Sequence, residues 1–152
     1  MPRILVLLPV FFFFTLTSPA PAMGPGMDQR QLIEMPDRMK AHMLANMRDH
    51  LKALDEIFDA LAQDRAGDAA KIAEGRLGMS SMRAHGAGHM GPFMPEAMRN
   101  FGTGMHRAAS RFARAVETAD IEPSAKSQRD LYAAFRDITA NCTGCHEAFR
   151  LH

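Results

Sequence analysis

The last stretch of the chain is the most constraining. Leu131, Phe135, Ile138, Cys142, Cys145 and Phe149 recur at spacings of four, three, four, three and four. That is the beat of one face of an α-helix, which a strand cannot reproduce. The chain has two cysteines, and both stand on this stripe, in Cys142-Thr143-Gly144-Cys145-His146. The fold must therefore present both thiols, and the imidazole that follows them, on a helix beside an apolar interior.

Three further stretches show the same period. Residues 37–63 carry Met43, Met47, Leu51, Leu54, Phe58 and Leu61, with Pro36 and Asp37 suited to a helix start. Residues 68–85 open on Asp68 as N-cap and carry Ile72, Leu77, Met79 and Met82, a stripe weakened by Gly75 and Gly78. Residues 95–118 carry Met98, Phe101, Met105, Ala109, Phe112 and Val116. Here Gly102 and Gly104 either admit a close neighbour or mark a late start. Residues 86–92 read as a loop, Ile121-Glu122-Pro123 as a tight connection, and 124–149 as the fourth helix. No segment alternates with period two. The expectation is an all-α chain whose 37–152 region forms an antiparallel four-helix bundle, each stripe turned to a common centre. Each buried Leu, Met or Phe there contributes about 1.5–3 kcal/mol.

The N-terminal residues read as an export signal. Arg3 precedes a dense apolar run from Ile4 to Leu16, and Ser18-Pro19-Ala20-Pro21-Ala22 follows with an A-x-A ending. The run is about 13 residues, short of the roughly 20 that a membrane-spanning helix needs. Residues 1–22 are thus expected to be a signal peptide and 23–36 a lead-in without clear periodicity. The expected address is periplasmic, with no membrane span after cleavage. Lys and Arg total 18 against 17 Asp and Glu, a balance that gives no sign of a nucleic-acid or anionic-membrane partner.

C-x-x-C-H is the haem-attachment signature. Thiols three residues apart lie on neighbouring faces of one turn, where both reach the vinyl groups of one porphyrin, and His146 is placed to bind iron. Three other chemistries compete. A redox-active C-x-x-C pair belongs at the start of a helix after a strand, not at the end of the last helix. A structural zinc site needs four ligands, and only His146 and His152 accompany the thiols. A disulfide across so short a loop gains little entropy and leaves the adjacent imidazole unexplained. One covalent haem c is the expected cofactor, and no nucleophile–base constellation suggests an enzyme.

The segment from Leu131-Tyr132-Ala133-Ala134-Phe135 through Cys142-Thr143-Gly144-Cys145-His146-Glu147-Ala148-Phe149-Arg150 resembles the C-terminal helix of the cytochrome c prime family. Asp68-Ala69-Ala70-Lys71-Ile72 is similar to the start of that family's second helix. The likeness spans roughly 37–152 and is loosest over the third helix and the loop before it. It implies a homodimer that either carries electrons to redox partner proteins or binds small gases such as nitric oxide. It also implies that the first helix supplies the residue on the open side of the iron. An apolar residue there leaves iron five-coordinate and able to take a gas, whereas a thioether gives His/Met iron suited to electron transfer. Met39, Met43 and Met47 lie four apart, and counting back from Asp68-Ala69-Ala70 puts the family's distal position at Met47, with Met43 in reserve. His42 and His50 flank the same face. Relatives often carry an arginine where Met43 stands, so Arg38, Lys40 or Arg48 is expected to meet the haem propionates. Arg150 matches the family's arginine four residues after the haem histidine and is a candidate haem-side contact. Phe135 and Phe149 are expected to pack against the porphyrin.

The segment 79–106 also holds Met79, Met82, Met90, Met94, Met98 and Met105 with His85, His89 and His106. Thioethers and imidazoles suit copper. A periplasmic Met/His-rich copper-binding protein is accordingly the distant alternative.

Overall fold

The computed structural model describes residues 28–152. The expected signal peptide and the first residues of the lead-in lie outside them. The described chain is all-α, with five α-helices, one π segment, two 3-10 turns and a single pair of two-residue strands.

Helix α1 (Asp37–Ala62) starts after Pro36, whose backbone (φ −54°, ψ 144°) is extended, so its locked ring leads directly into the first turn. It ends where Asp64 turns left-handed (φ 55°). Helix α2 (Ala66–Ile72) begins two residues earlier than Asp68. Asp68 sits in the first turn instead of capping it, 3.2 Å from the Arg65 guanidinium.

The helix expected over 68–85 is not continuous. α2 passes into a π segment (Ala73–Leu77), Gly78 is extended, and a 3-10 turn (Met79–Ser81) follows. Hydroxyls compete for the helical carbonyls there. Ser80 Oγ donates to the Glu74 carbonyl at 2.8 Å and Ser81 Oγ to the Gly78 carbonyl at 2.7 Å. The Met79 N–H is captured by Ser110 Oγ at 2.9 Å. The stretch read as a loop at 86–92 contains a one-turn helix, α3 (Ala87–Met90), and a 3-10 turn (Gly91–Phe93).

Helix α4 (Glu96–Ile121) follows Pro95 and runs unbroken through Gly102 and Gly104, which removes the late-start reading. Helix α5 (Ala125–Ala148) opens on a reciprocal capping box: the Ser127 N–H donates to Ser124 Oγ and the Ser124 N–H to Ser127 Oγ, both at 3.0 Å. The lead-in contains a strand that periodicity did not announce. β1 (Gln31–Leu32) pairs in parallel with β2 (Phe149–Arg150), Gln31 opposite Phe149.

α4 lies along α5, and α2 packs on both α1 and α4. Two apolar clusters result. The larger holds Ile57, Leu77, Phe112, Val116 and Ile138 among many alanines, and the smaller holds Ile33, Met35, Met43, Met90, Met98 and Phe149. Along α1 the expected stripe is one position out beyond Met47. Leu51 is 70% exposed and Phe58 46%, while Ala53, Ile57 and Ala60 are fully buried. Alanines carry little weight in a hydrophobic pattern. Yet Ala53 and Ala60 join Ala69, Ala70 and Ala73 in the same cluster, where short side chains let backbones approach. No helix among the described residues is long and apolar enough to cross a membrane.

Candidate functional site

The clusters part around a cavity of about 520 Å³, within the range of roughly 300–1,000 Å³ common for cofactor sites. Cys142, Cys145 and His146 line it from α5, and Phe149 and Arg150 from β2. Met43, Met47 and His50 line it from α1, and Met98, Phe101, Met105 and His106 from α4. Met82, His85, Met90 and Met94 complete the wall from the segment between α2 and α4.

The sequence of α5 explains how the motif reaches this place. Leu131 and Ile138 are buried in the larger cluster, so the same face carries Cys142 onto that cluster and Cys145 onto the smaller one. The two sulfurs thus stand where the clusters meet. Helices α4 and α5 come close beside them. A Cβ on Gly144 would lie 2.6 Å from Phe101 Cε1, and one on Gly104 would lie 2.3 Å from Asn141 Oδ1. A side chain at Gly144 would therefore displace the Phe101 ring of α4. Of the two readings of the α4 glycines, close approach holds at Gly104.

Both thiols are free and half-buried, and burial pushes each above the ordinary cysteine value, with Cys142 adding to the effect at Cys145. A redox-active C-x-x-C needs the opposite shift, toward thiolate. The His146 carbonyl accepts from Arg30 Nη1 at 3.4 Å, which ties the motif's backbone to the lead-in.

Of the three methionines spaced along α1, Met43 and Met47 line the cavity. Met39 packs on the smaller cluster away from it. Met43 is buried and Met47 half-buried. His50 lines the cavity and His42 does not. Phe149 lines the cavity. Phe135 does not: its ring stacks edge-on with Phe58 and Phe112, at 4.7 and 5.6 Å between centroids, away from the cavity.

The cations are redistributed as well. Arg38, Lys40 and Arg48 are absent from the lining: Arg38 and Arg48 fall outside the face of α1 carrying Met43 and Met47, and Lys40 shares that face but stands one turn before Met43, short of the cavity. Arg30, Arg99 and Arg150 line it instead. Arg150 Nε is buried without a hydrogen-bond partner, its nearest acid being Asp28 at 3.7 Å. Arg30 holds the Asp28 carboxyl at 2.7 Å and lowers its pKa to about 2. A buried, unsatisfied guanidinium N–H beside an apolar cavity is a donor suited to an anionic group.

Arg30, Arg99, His85 and His106 were not legible as one site. The density of Met and His over 79–106 was the signal for the last two, and nothing local marked the two arginines. No family model matches the chain, and no curated protein or solved structure matches it.

Proposed function

We propose that this chain is a periplasmic monohaem c-type cytochrome that works as a one-electron carrier, exported after loss of residues 1–22. In this reading α1, α2 with its π continuation, α4 and α5 are the four members of an antiparallel bundle of the cytochrome c prime kind, paired as a homodimer. The observation that carries the proposal is one cavity shared by Cys142, Cys145, His146, Met43 and Met47, residues that C-x-x-C-H chemistry and thioether ligation both require.

The donor set fits a porphyrin. Cys142 and Cys145 would each add S–H across one vinyl group, and His146 would hold the iron from the α5 side. Met47 is the proposed sixth ligand, with Met43 one turn away. Arg150, whose Nε has no hydrogen-bond partner among the described residues, and Arg30 and Arg99 on the same lining, would take the propionates. The bound iron supplies the one-electron couple. The chain sets its conditions. Seven methionines (Met43, Met47, Met82, Met90, Met94, Met98 and Met105) line the cavity, and that wall would lower the polarity around the iron. A thioether ligand in such surroundings favours the ferrous state and raises the potential.

The test is expression with the haem-attachment machinery, followed by denaturing mass spectrometry and absorption spectra with and without carbon monoxide. The proposal expects one covalent haem, lost in Cys142→Ser/Cys145→Ser. It also expects slow carbon monoxide uptake that becomes fast in Met47→Ala together with a fall in potential. A bare polypeptide mass ends the haem reading. Fast uptake by the unaltered protein replaces the electron carrier with a five-coordinate gas binder.

A further inference from the structure

Outside the haem-motif residues, the densest group of metal-ligating side chains is a seam of imidazoles where α1 meets the 81–89 segment. His50 Nε2 lies 3.5 Å from His85 Nδ1, with ring centroids 4.7 Å apart. The His106 ring, from α4, stands 5.2 Å from that of His85 and 6.2 Å from that of His50. Two turns back along α1, His42 Nδ1 lies 3.5 Å from His89 Nε2.

Two nitrogens on one tetrahedral ion, each bonded at about 2.0–2.1 Å, sit roughly 3.3 Å apart. The His50–His85 separation needs almost no closing to meet that. The surroundings hold the pair in place. Asn46 Nδ2 donates to the His85 carbonyl at 2.9 Å, Ser81 Oγ lies 3.4 Å from His85 Nδ1, and His106 Nδ1 donates to the Leu77 carbonyl at 2.7 Å. These contacts fix the His85 backbone and the neighbouring His106 ring, and leave Ser81 Oγ beside the nitrogen that would bind the ion. The nearest cation, Arg76, is occupied by Asp49 and Glu56, so an incoming ion meets no free positive charge from it. Burial holds the His50 pKa down to about 4, followed in effect by the charges of His85 and His106. His85 is also lowered, by burial and by His106. Both rings are therefore neutral at pH 7, the form that ligates.

We infer that His50 and His85, on the wall of the same cavity but sharing no ligand with the haem motif, form a two-imidazole site for a late first-row divalent ion, Cu²⁺ or Zn²⁺, completed by water. Among the described residues no group of three or more His, Cys, Asp or Glu side chains is arranged to hold a metal ion. The protein thus contributes two ligands, which sets the site apart from a closed structural zinc centre. Copper binds more tightly than zinc, following the usual order for nitrogen donors.

The experiment is equilibrium dialysis of the haem-loaded protein against Cu²⁺ or Zn²⁺ at pH 7 with metal analysis, and electron paramagnetic resonance of the copper form. In a preparation without haem, alkylating Cys142 and Cys145 removes the thiols as rival ligands, so the outcome does not depend on the cytochrome reading. One ion per chain is expected, with copper signals split by two imidazole nitrogens. His50→Ala and His85→Ala should each weaken binding roughly tenfold or more, about 1.4 kcal/mol. His42→Ala/His89→Ala should leave it intact. His50→Gln, checked for retained helicity, guards against loss of fold as the cause. Absence of uptake, uptake indifferent to His50 and His85, or loss confined to the His42/His89 variant overturns the inference.

Discussion

The same helices build two unlike halves of this molecule. Toward one end α1 and α4 contribute Ala53, Ala60, Ala108, Ala109 and Ala113, and the interior closes around Phe112 and Ile57, both without exposure. Toward the other end they contribute Met43, Met47, Met98 and Met105, and a cavity of about 520 Å³ opens. Small side chains draw backbones together, whereas long flexible thioethers hold them apart and adapt to what lies between. The cavity thus opens where α1 and α4 run on in methionines and the second helix gives way to the broken segment that carries Met82, His85, Met90 and Met94.

That contrast can be broken from the tight side. Phe112→Ala should cost about 3–5 kcal/mol, because alanines around it cannot swell to fill the void. Met98→Ala, at the edge of space that already exists, should cost less than half as much. Urea unfolding of both variants measures the difference, and equal losses would deny that the halves differ in packing.

A sharper probe uses mild acid, which reaches His50 at the cavity end. His50 has its folded pKa lowered to about 4, below its ordinary 6.5. Between those values the unfolded chain binds the proton and the folded chain does not. Stability is therefore full above about pH 6.5 and falls as the pH drops toward 4, by on the order of 2 kcal/mol. His50→Asn should reduce that fall, with His85, which is also lowered by burial, supplying the remainder, while Phe112→Ala should shift the curve without changing its shape. The smallest effect belongs to the outer face of α1. Leu51→Ser should change unfolding free energy by less than about 0.5 kcal/mol, since Leu51 is 70% exposed. A large loss there would mean that the face is covered.

The parts that were legible in the sequence are those with local causes. Pro36, Pro95 and Ser124 announce the starts of α1, α4 and α5, and the stripe through Leu131 and Ile138 does place Cys142 and Cys145 beside the core. The second helix was misjudged because its end depends on Ser110, a residue of α4, capturing the Met79 N–H. The outer half of α1 was misjudged because a Leu at 51 outweighs an Ala at 53 in any hydrophobic pattern, although packing prefers the Ala. Most of the imidazole seam and the three arginines of the cavity come from positions far apart in the chain, and no spacing rule joins residue 30 to residue 150.

The shortest element has a consequence of its own. β1 and β2 share a ladder only two residues long, extended by the Ile33 N–H donating to the Arg150 carbonyl at 2.9 Å. So few bonds make this the cheapest part of the described chain to fray, and it opens on its own well before the helices unfold. Each opening would carry Arg30 and Arg150, both on the cavity lining, away together. The mouth of the cavity is therefore hinged on this latch, beside a helix end whose His146 already faces solvent.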